Sequence, residues 1–131
     1  MPAAERRPQV VMVDDDPDFR CIVSGWLKDR FDTVMLADGA ELGDALGKLA
    51  PDLVILDVRM PGANGFTLCR ELRAHGRCRD TPILFLTAST DFDDFRKNLV
   101  AGGTGYLEKP VAREDLLTKI DALLAEAPLG R

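Results

Sequence analysis

The stretch VVMVDDDPDFR, residues 10–20, places an apolar run directly before three aspartates and a proline. The run is apolar throughout, which is typical of a strand that helices cover on both faces. Asp16 precedes Pro17 and is therefore predicted to cap a helix, because the missing N–H of proline is tolerated at the first helical position. Asp14 and Asp15 remain at the carboxyl end of the strand. The stretch thus predicts a strand-to-helix junction that carries two carboxylates.

The same alternation of apolar run and helical pattern continues along the chain and predicts βαβ units. The apolar runs predict strands at 9–14, 33–37, 53–58, 83–88 and 105–109. Apolar residues at helical spacing predict five helices, each with one stripe that faces the sheet. The stripes are Phe19, Ile22, Val23, Trp26 and Leu27; Leu42, Ala45, Leu46 and Leu49; Phe66, Cys69 and Leu72; Phe92, Phe95 and Leu99; and Leu116, Ile120, Leu123 and Leu124. Right-handed crossovers then favour an α/β fold, a doubly wound five-stranded parallel sheet of order 2-1-3-4-5 with five helices.

The composition restricts the class of protein. A chain of 131 residues, with 46% hydrophobic and 30% charged residues, is typical of one globular domain. The net charge of -5 and the lack of a Lys/Arg-rich run argue against direct contact with nucleic acid or a membrane surface. No apolar run suits a membrane span or a signal peptide, so we expect a cytoplasmic protein. Cys21, Cys69 and Cys78 form no CxxC pair, and we expect reduced, mostly buried thiols.

Ligands of an open doubly wound sheet bind beyond the carboxyl ends of its strands. The polar residues at those ends are Asp14, Asp15, Asp57, Thr87 and Lys109. Since strands one and three would be neighbours, the three carboxylates would meet in one cleft. Carboxylates at such short range favour a hard cation between them, which predicts a Mg²⁺ site. One carboxylate would remain as a nucleophile toward a phosphoryl group, and the threonine and lysine would contact the transferred oxygens.

Four segments together carry a resemblance to a known family. In their order and spacing, VVMVDDDPDFR, LVILDVRMPGANGF, FLTAS and GYLEKP resemble the receiver domain of two-component response regulators, whose fold is flavodoxin-like or CheY-like. The resemblance covers nearly the whole chain. It implies a single receiver domain over residues 1–131, with a core at about 8–126 and a short tail at each end.

The resemblance also implies a role for each site residue. Asp57 would be the phosphoacceptor, and Mg²⁺ or Mn²⁺ would be bound by Asp14, Asp15, Asp57 and the backbone carbonyl of Arg59. Thr87 and Lys109 would bind the phosphoryl group, and Tyr106 would be the aromatic residue of the switch. Arg59 and Ser89 would tune the rate of dephosphorylation. The bond between Lys109 and Pro110 would be a cis peptide.

The partners that the resemblance implies are proteins. The phosphoryl donor would be a sensor histidine kinase or a histidine phosphotransfer protein, and the signal would pass to a downstream protein target or a fused output domain. Phosphorylation would remodel the surface of the fourth helix, the fifth strand and the fifth helix, and would favour a homodimer or partner binding there. The chain would be a signalling switch rather than an enzyme, catalysing only its own phosphorylation and dephosphorylation.

Other classes of protein fit the sequence less well. GDALGKL, residues 43–49, fails the spacing of a P-loop, and aspartates stand where a dinucleotide-binding or flavodoxin loop would hold phosphate. A pseudo-receiver, the same fold acting as a phosphorylation-independent protein-binding module, is the alternative. The presence of Asp14, Asp15, Asp57, Thr87 and Lys109 favours the phosphorylated receiver, since a pseudo-receiver is expected to lack at least one of them.

Overall fold

The computed structural model describes residues 7–60, 63–74, 76–88, 96–97 and 100–126. Its centre is one parallel sheet of five strands. They are β1 (Gln9–Val13), β2 (Asp32–Leu36), β3 (Leu53–Asp57), β4 (Ile83–Thr87) and β5 (Gly105–Glu108). The spatial order is β2-β1-β3-β4-β5, so the predicted α/β class and the predicted order 2-1-3-4-5 are both confirmed.

Four α-helices lie within the described residues. They are α1 (Pro17–Leu27), α2 (Gly39–Leu46), α3 (Gly65–Ala74) and a C-terminal helix (Arg113–Glu126); a short 3₁₀ turn follows α3 at Gly76–Cys78. The sequence predicts five helices. The stripe of the predicted fourth helix, Phe92, Phe95 and Leu99, lies outside the described residues, although Arg96, Lys97, Val100 and Ala101 have helical backbone.

Two hydrophobic clusters, one on each face of the sheet, explain why the central strands are apolar throughout. β3 is buried along its full length. On one face, side chains of the sheet pack against α2 and α3, through Leu42, Leu46, Phe66, Leu68, Cys69 and Leu72. On the other face they pack against α1 and the C-terminal helix, through Val23, Leu27, Leu116, Leu117, Ile120 and Leu123. The central strands therefore expose neither face to water, as the unbroken hydrophobic runs predict.

The start of α1 follows the prediction from the sequence. Asp16 is the N-cap, its side chain accepts hydrogen bonds from the backbone N–H groups of Asp18 and Phe19, and proline occupies the first turn. The predicted stripe of this helix needs one correction: Ile22 does not face the sheet and is 50% exposed. The reason is rotational, because consecutive helical residues differ by about 100° and the neighbouring Val23 takes the fully buried position.

The cysteines and the helices bear on two further predictions from the sequence. Cys69 and Cys78 are buried free thiols, as expected, whereas Cys21 is exposed on α1. None of the helices in the described ranges combines the length and hydrophobicity that a membrane-spanning helix needs. The division of residues 1–131 into a core and two short tails stays a prediction.

The turn after β3 brings the chain back onto its own backbone. Two-residue strands at Arg59–Met60 and Ala63–Asn64 pair antiparallel, and the N–H of Gly65 then donates to the carbonyl of Val58 at 2.9 Å. A Cβ atom on Gly65 would collide with the carbonyl oxygen of Asp57 and lie 3.0 Å from its carbonyl carbon. Only glycine permits this close approach of backbone to backbone.

We expect Gly65→Ala to lower the free energy of unfolding by about 2 kcal/mol, because the added methyl group must displace the backbone at Asp57. The measurement is urea denaturation followed by circular dichroism.

Gly25→Ala is the matched control. Gly25 lies inside α1, and a Cβ atom there would meet nothing within 4 Å. This variant should be more stable than the wild-type chain by about 0.5 kcal/mol, since alanine favours the helix. Equal stability of the two variants would contradict the proposed backbone collision.

Candidate functional site

The site forms where β1 and β3 end side by side. In the register of these strands Val13 is opposite Leu56, so Asp14 and Asp57 follow at the same level of the sheet. Asp14 is fully buried and Asp57 is 7% exposed, whereas Asp15 is exposed. One carboxylate oxygen from each of these three residues lies within 4.8 Å of the others. The structure therefore brings together the three carboxylates that the sequence predicts to converge.

Lys109 supplies the positive charge opposite these carboxylates. Its Nζ lies 3.0 Å from Asp14 Oδ2 and 3.4 Å from Asp57 Oδ2. Thr87 is opposite Glu108 in the pairing of β4 with β5, and the backbone N–H of Lys109 donates to the Thr87 carbonyl at 2.6 Å. The lysine thus leaves the sheet at the same edge as the carboxylates. The Lys109–Pro110 peptide bond is cis, the isomer that the resemblance to receiver domains implies.

Backbone groups hold both buried carboxylates in place. The N–H of Asp16 donates to Asp14 Oδ1 at 2.9 Å, and the N–H of Arg59 donates to Asp57 Oδ1 at 3.3 Å. The Arg20 guanidinium, one turn into α1, donates to the carbonyl of Asp14 at 2.6 Å. These contacts fix the orientation of the carboxylates before any ligand binds.

The electrostatics of the site reflect its burial. Burial raises the pKa of Asp57 above its ordinary value; the charge of Lys109 opposes this shift and the charge of Asp14 adds to it. For Lys109, burial lowers the pKa, but the hydrogen bond to Asp14 and the charges of Asp57 and Asp14 outweigh it, so the pKa lies above its ordinary value. The ammonium therefore stays charged, while the carboxylate of Asp57 is destabilised in its ionised form.

The carboxylate oxygens of this cluster are suitable ligands for a divalent cation. Its ligand atoms are carboxylate oxygens, and Asp57 is a buried anion beside the second anion of Asp14, with one lysine facing both. A hard cation would relieve the repulsion between them. Asp15, exposed at the rim, adds a third oxygen donor, so the residues present fit a site for such an ion.

The remaining predicted site residues lie around this cluster. Thr87 is fully buried at the end of β4, and Tyr106 is half-buried in β5, packed against the cluster that contacts α2 and α3. Arg59 is exposed two residues after Asp57, and the use of its carbonyl as a metal ligand stays a prediction. Ser89 lies outside the described residues.

Phe19 and Arg20 are functional candidates that sequence reasoning missed. The Nζ of Lys109 lies 4.7 Å from the centroid of the Phe19 ring, and Arg20 holds the backbone of Asp14. From the sequence, the phenylalanine is assigned only to the core-facing stripe of α1. Its position three residues after the cap of a helix that starts at the site is the signal that could have found it.

The chain resembles known proteins over most of its length. Residues 10–121 match the family model described as the response regulator receiver domain. The chain belongs to this family. The receiver domain is 38% identical over 119 residues to the DNA-binding response regulator MtrA of Mycolicibacterium smegmatis, covering 90% of this chain and 51% of that protein. It is 39% identical to the transcriptional regulatory protein GltR of Pseudomonas aeruginosa, covering 90% of this chain and 49% of that protein.

Solved structures agree with this assignment. The receiver domain superposes on the chemotaxis response regulator CheY4 of Vibrio cholerae with a TM-score of 0.85 at 33% identity, covering 89% of this chain and 98% of that chain. It also resembles the BeF3-activated N-terminal receiver domain of Klebsiella pneumoniae RstA, with a TM-score of 0.81 at 30% identity, covering 90% of this chain and 99% of that chain. The chain spans about half the length of the curated relatives it matches.

The raised pKa of Asp57 predicts a stability effect. Because its pKa is higher in the folded than in the unfolded chain, the ionised carboxylate destabilises the fold at pH values above its folded pKa. This penalty disappears as the pH falls below the ordinary pKa of aspartate. In EDTA at pH 7, Asp57→Asn should therefore raise the free energy of unfolding by about 1 kcal/mol, and the gain should shrink at pH 4.

Denaturant titrations of both chains at the two pH values check this prediction. Asp44→Asn, at an exposed position of α2, is the control, and its stability should change by less than about 0.5 kcal/mol. A loss of stability on replacing Asp57 at pH 7 would show that its ion pair with Lys109 outweighs the cost of burying the charge.

Proposed function

We propose that this receiver domain accepts a phosphoryl group on Asp57 in the presence of Mg²⁺ or Mn²⁺. The observation that carries the proposal is the position of Asp57, a buried carboxylate within reach of one lysine and within 4.8 Å of two further carboxylates. A lone buried aspartate would be costly, whereas this arrangement suits a nucleophile that is paired with a cation and with phosphoryl oxygens.

Each neighbouring residue has a proposed role in the transfer. Asp15 and Asp14 hold the metal ion together with Asp57 and the carbonyl of Arg59. When bound, the ion neutralises charge on the phosphoryl oxygens. Lys109 exchanges its contact with Asp57 for one with a phosphoryl oxygen, and the hydroxyl of Thr87 donates to another.

The donor we propose is the phosphohistidine of a sensor histidine kinase or histidine phosphotransfer protein. An oxygen of Asp57 bonds to phosphorus as the P–N bond to the imidazole breaks, and the departing nitrogen takes up a proton. Water later hydrolyses the acyl phosphate at a rate that the side chains of Arg59 and Ser89 tune. The domain is thus a signalling switch that catalyses only its own phosphorylation and dephosphorylation.

The same proposal includes how phosphorylation passes the signal to a target. Phosphorylation draws the hydroxyl of Thr87 toward the phosphoryl group and Tyr106 follows. The surface of the predicted fourth helix, β5 and the C-terminal helix then changes its partners or forms a homodimer. Because the curated relatives are about twice as long and two of them are named DNA-binding or transcriptional regulators, a fused output domain is the target we propose. The receiver domain itself, with its acidic net charge, would act through protein contacts in the cytoplasm.

Phosphorylation is tested by intact mass. Incubation with acetyl phosphate and Mg²⁺ should add one phosphoryl group to the wild-type chain and none to Asp57→Asn, and EDTA should abolish the adduct. Lys109→Ala should reduce the rate of adduct formation at least about tenfold, because the transferred oxygens lose their cation.

A wild-type chain that gains no adduct and also fails to bind beryllofluoride would contradict the proposal. The domain would then be a pseudo-receiver, a protein-binding module that works without phosphorylation.

Metal binding is tested separately through Trp26, the single tryptophan of the chain, which lines the same cleft as Lys109. Mg²⁺ should change its fluorescence in a saturable manner. Asp15→Asn should weaken the apparent affinity at least about tenfold, since it removes one charged oxygen ligand.

Asp18→Asn is the matched control, because Asp18 is an exposed carboxylate in the first turn of α1, three residues after Asp15, but is not a member of the three-carboxylate cluster. Its Mg²⁺ affinity should equal that of the wild-type chain. Equal weakening in both variants would show that general negative charge, rather than ligation, attracts the ion.

A further inference from the structure

The ammonium group of Lys109 has three neighbours of two different kinds. Two are the carboxylates of Asp14 and Asp57, at 3.0 and 3.4 Å. The third is the face of the Phe19 ring, whose centroid is 4.7 Å from Nζ. A cation over an aromatic face at this distance is attracted by the ring quadrupole. The lysine is therefore held by a group that carries no net charge, as well as by two anions.

The cap of α1 determines where this ring lies. Asp16 Oδ1 accepts a hydrogen bond from the backbone N–H of Phe19 at 3.3 Å, and the backbone N–H of the same aspartate donates to Asp14. The ring also packs against the hydrophobic cluster that contacts α1 and the C-terminal helix. Phe19 is thus linked through one residue to the buried carboxylate, and it is fixed in place before a ligand arrives.

The same ring forms part of the wall of a cleft of about 500 Å³ beside the site. Phe19, Ile22, Trp26, Pro110 and Val111 supply its apolar surface, and Asp16, Ala88 and Lys109 complete it. Lys109 therefore lies between an acidic cluster and an apolar cleft. Without the ring, its flexible four-carbon side chain could reach toward solvent across this cleft.

The two kinds of contact behave differently when the site is used. A metal ion would compete with the ammonium for the carboxylates of Asp14 and Asp57, whereas a phosphoryl oxygen would compete with these carboxylates for the ammonium. The Phe19 ring binds neither of them, so its contact with Lys109 persists while the ion pairs are exchanged. A contact that is present before and after the exchange reduces the conformations that the lysine must search.

We propose that Phe19 is a positioning residue for Lys109, holding the ammonium at the mouth of the site while its contact with Asp57 is replaced by one with the phosphoryl group. The inference rests on the function proposed above and names a residue that acts through the lysine. It requires an aromatic face at position 19, not merely an apolar side chain.

The test compares Phe19→Leu, which keeps the apolar bulk, with Phe19→Tyr, which keeps the ring. Phosphorylation by acetyl phosphate at fixed Mg²⁺ should be about fivefold slower for the leucine variant and within about twofold of wild type for the tyrosine variant. The affinity for beryllofluoride should likewise be lower in Phe19→Leu than in Phe19→Tyr.

A readout that does not depend on phosphorylation accompanies this comparison. In the metal-free protein the ring should shift the NMR signals of the Lys109 ε-protons upfield, in wild type and Phe19→Tyr but not in Phe19→Leu. This pattern would establish the contact between the ring and Lys109, whereas recovery of the phosphorylation rate in Phe19→Tyr tests the positioning role.

The chain offers a second cation–aromatic pair as a control, the guanidinium of Arg30 at 5.1 Å from the ring of Phe31 beyond the other end of α1. Phe31→Leu removes this pair and should leave the phosphorylation rate unchanged at temperatures where the variant is folded.

A rate that is unchanged in Phe19→Leu, or equally reduced in Phe19→Leu and Phe19→Tyr, would overturn the positioning role. A wild-type chain that gains no adduct and does not bind beryllofluoride would overturn the proposed function, while the NMR comparison would still support or overturn the contact with Lys109.

Discussion

The rest of the site depends on one constraint, that two buried aspartates at the ends of adjacent strands face a single lysine. Parallel pairing of β1 with β3 brings Asp14 and Asp57 to the same level, where burial and the charge of Asp14 act against ionisation of Asp57. Lys109 lies within 3.4 Å of both and offsets part of that cost. Part of this electrostatic cost remains, and a divalent cation bound by the carboxylates would offset more of it. Stability and binding are therefore opposed at Asp57.

The fold separates the parts of this site between the two faces of the sheet. Phe19 belongs to the cluster packed against α1 and the C-terminal helix, whereas Tyr106 packs against the cluster that contacts α2 and α3. Lys109 follows β5 directly, and Tyr106 lies within that strand. Because Lys109 adjoins the strand that contains Tyr106, a change in the position of the lysine can affect packing on both faces of the sheet. This connection gives a physical route by which chemistry at the carboxylates could alter a distant surface.

The turn after β3 shows how the fold limits variation close to Asp57. The backbone of Gly65 lies so near that of Asp57 that a side chain cannot be inserted between them. Similarity to the Vibrio cholerae and Klebsiella pneumoniae receiver structures extends over about nine-tenths of this chain.

Sequence by itself determined the fold class, the strand order and the convergence of Asp14, Asp15 and Asp57, because hydrophobic runs, helical periodicity and strand-end residues are local patterns with few packing solutions. It also determined the cap at Asp16. Only the tertiary structure decided that Ile22 is exposed, since its burial depends on the rotation of α1 about its own axis. Likewise, the Phe19 ring meets Lys109 although 90 residues separate them in the chain, a contact that no local pattern encodes. Periodicity identifies which face of an element is apolar, but the partners of a side chain at the border of that face depend on how the packed elements are placed.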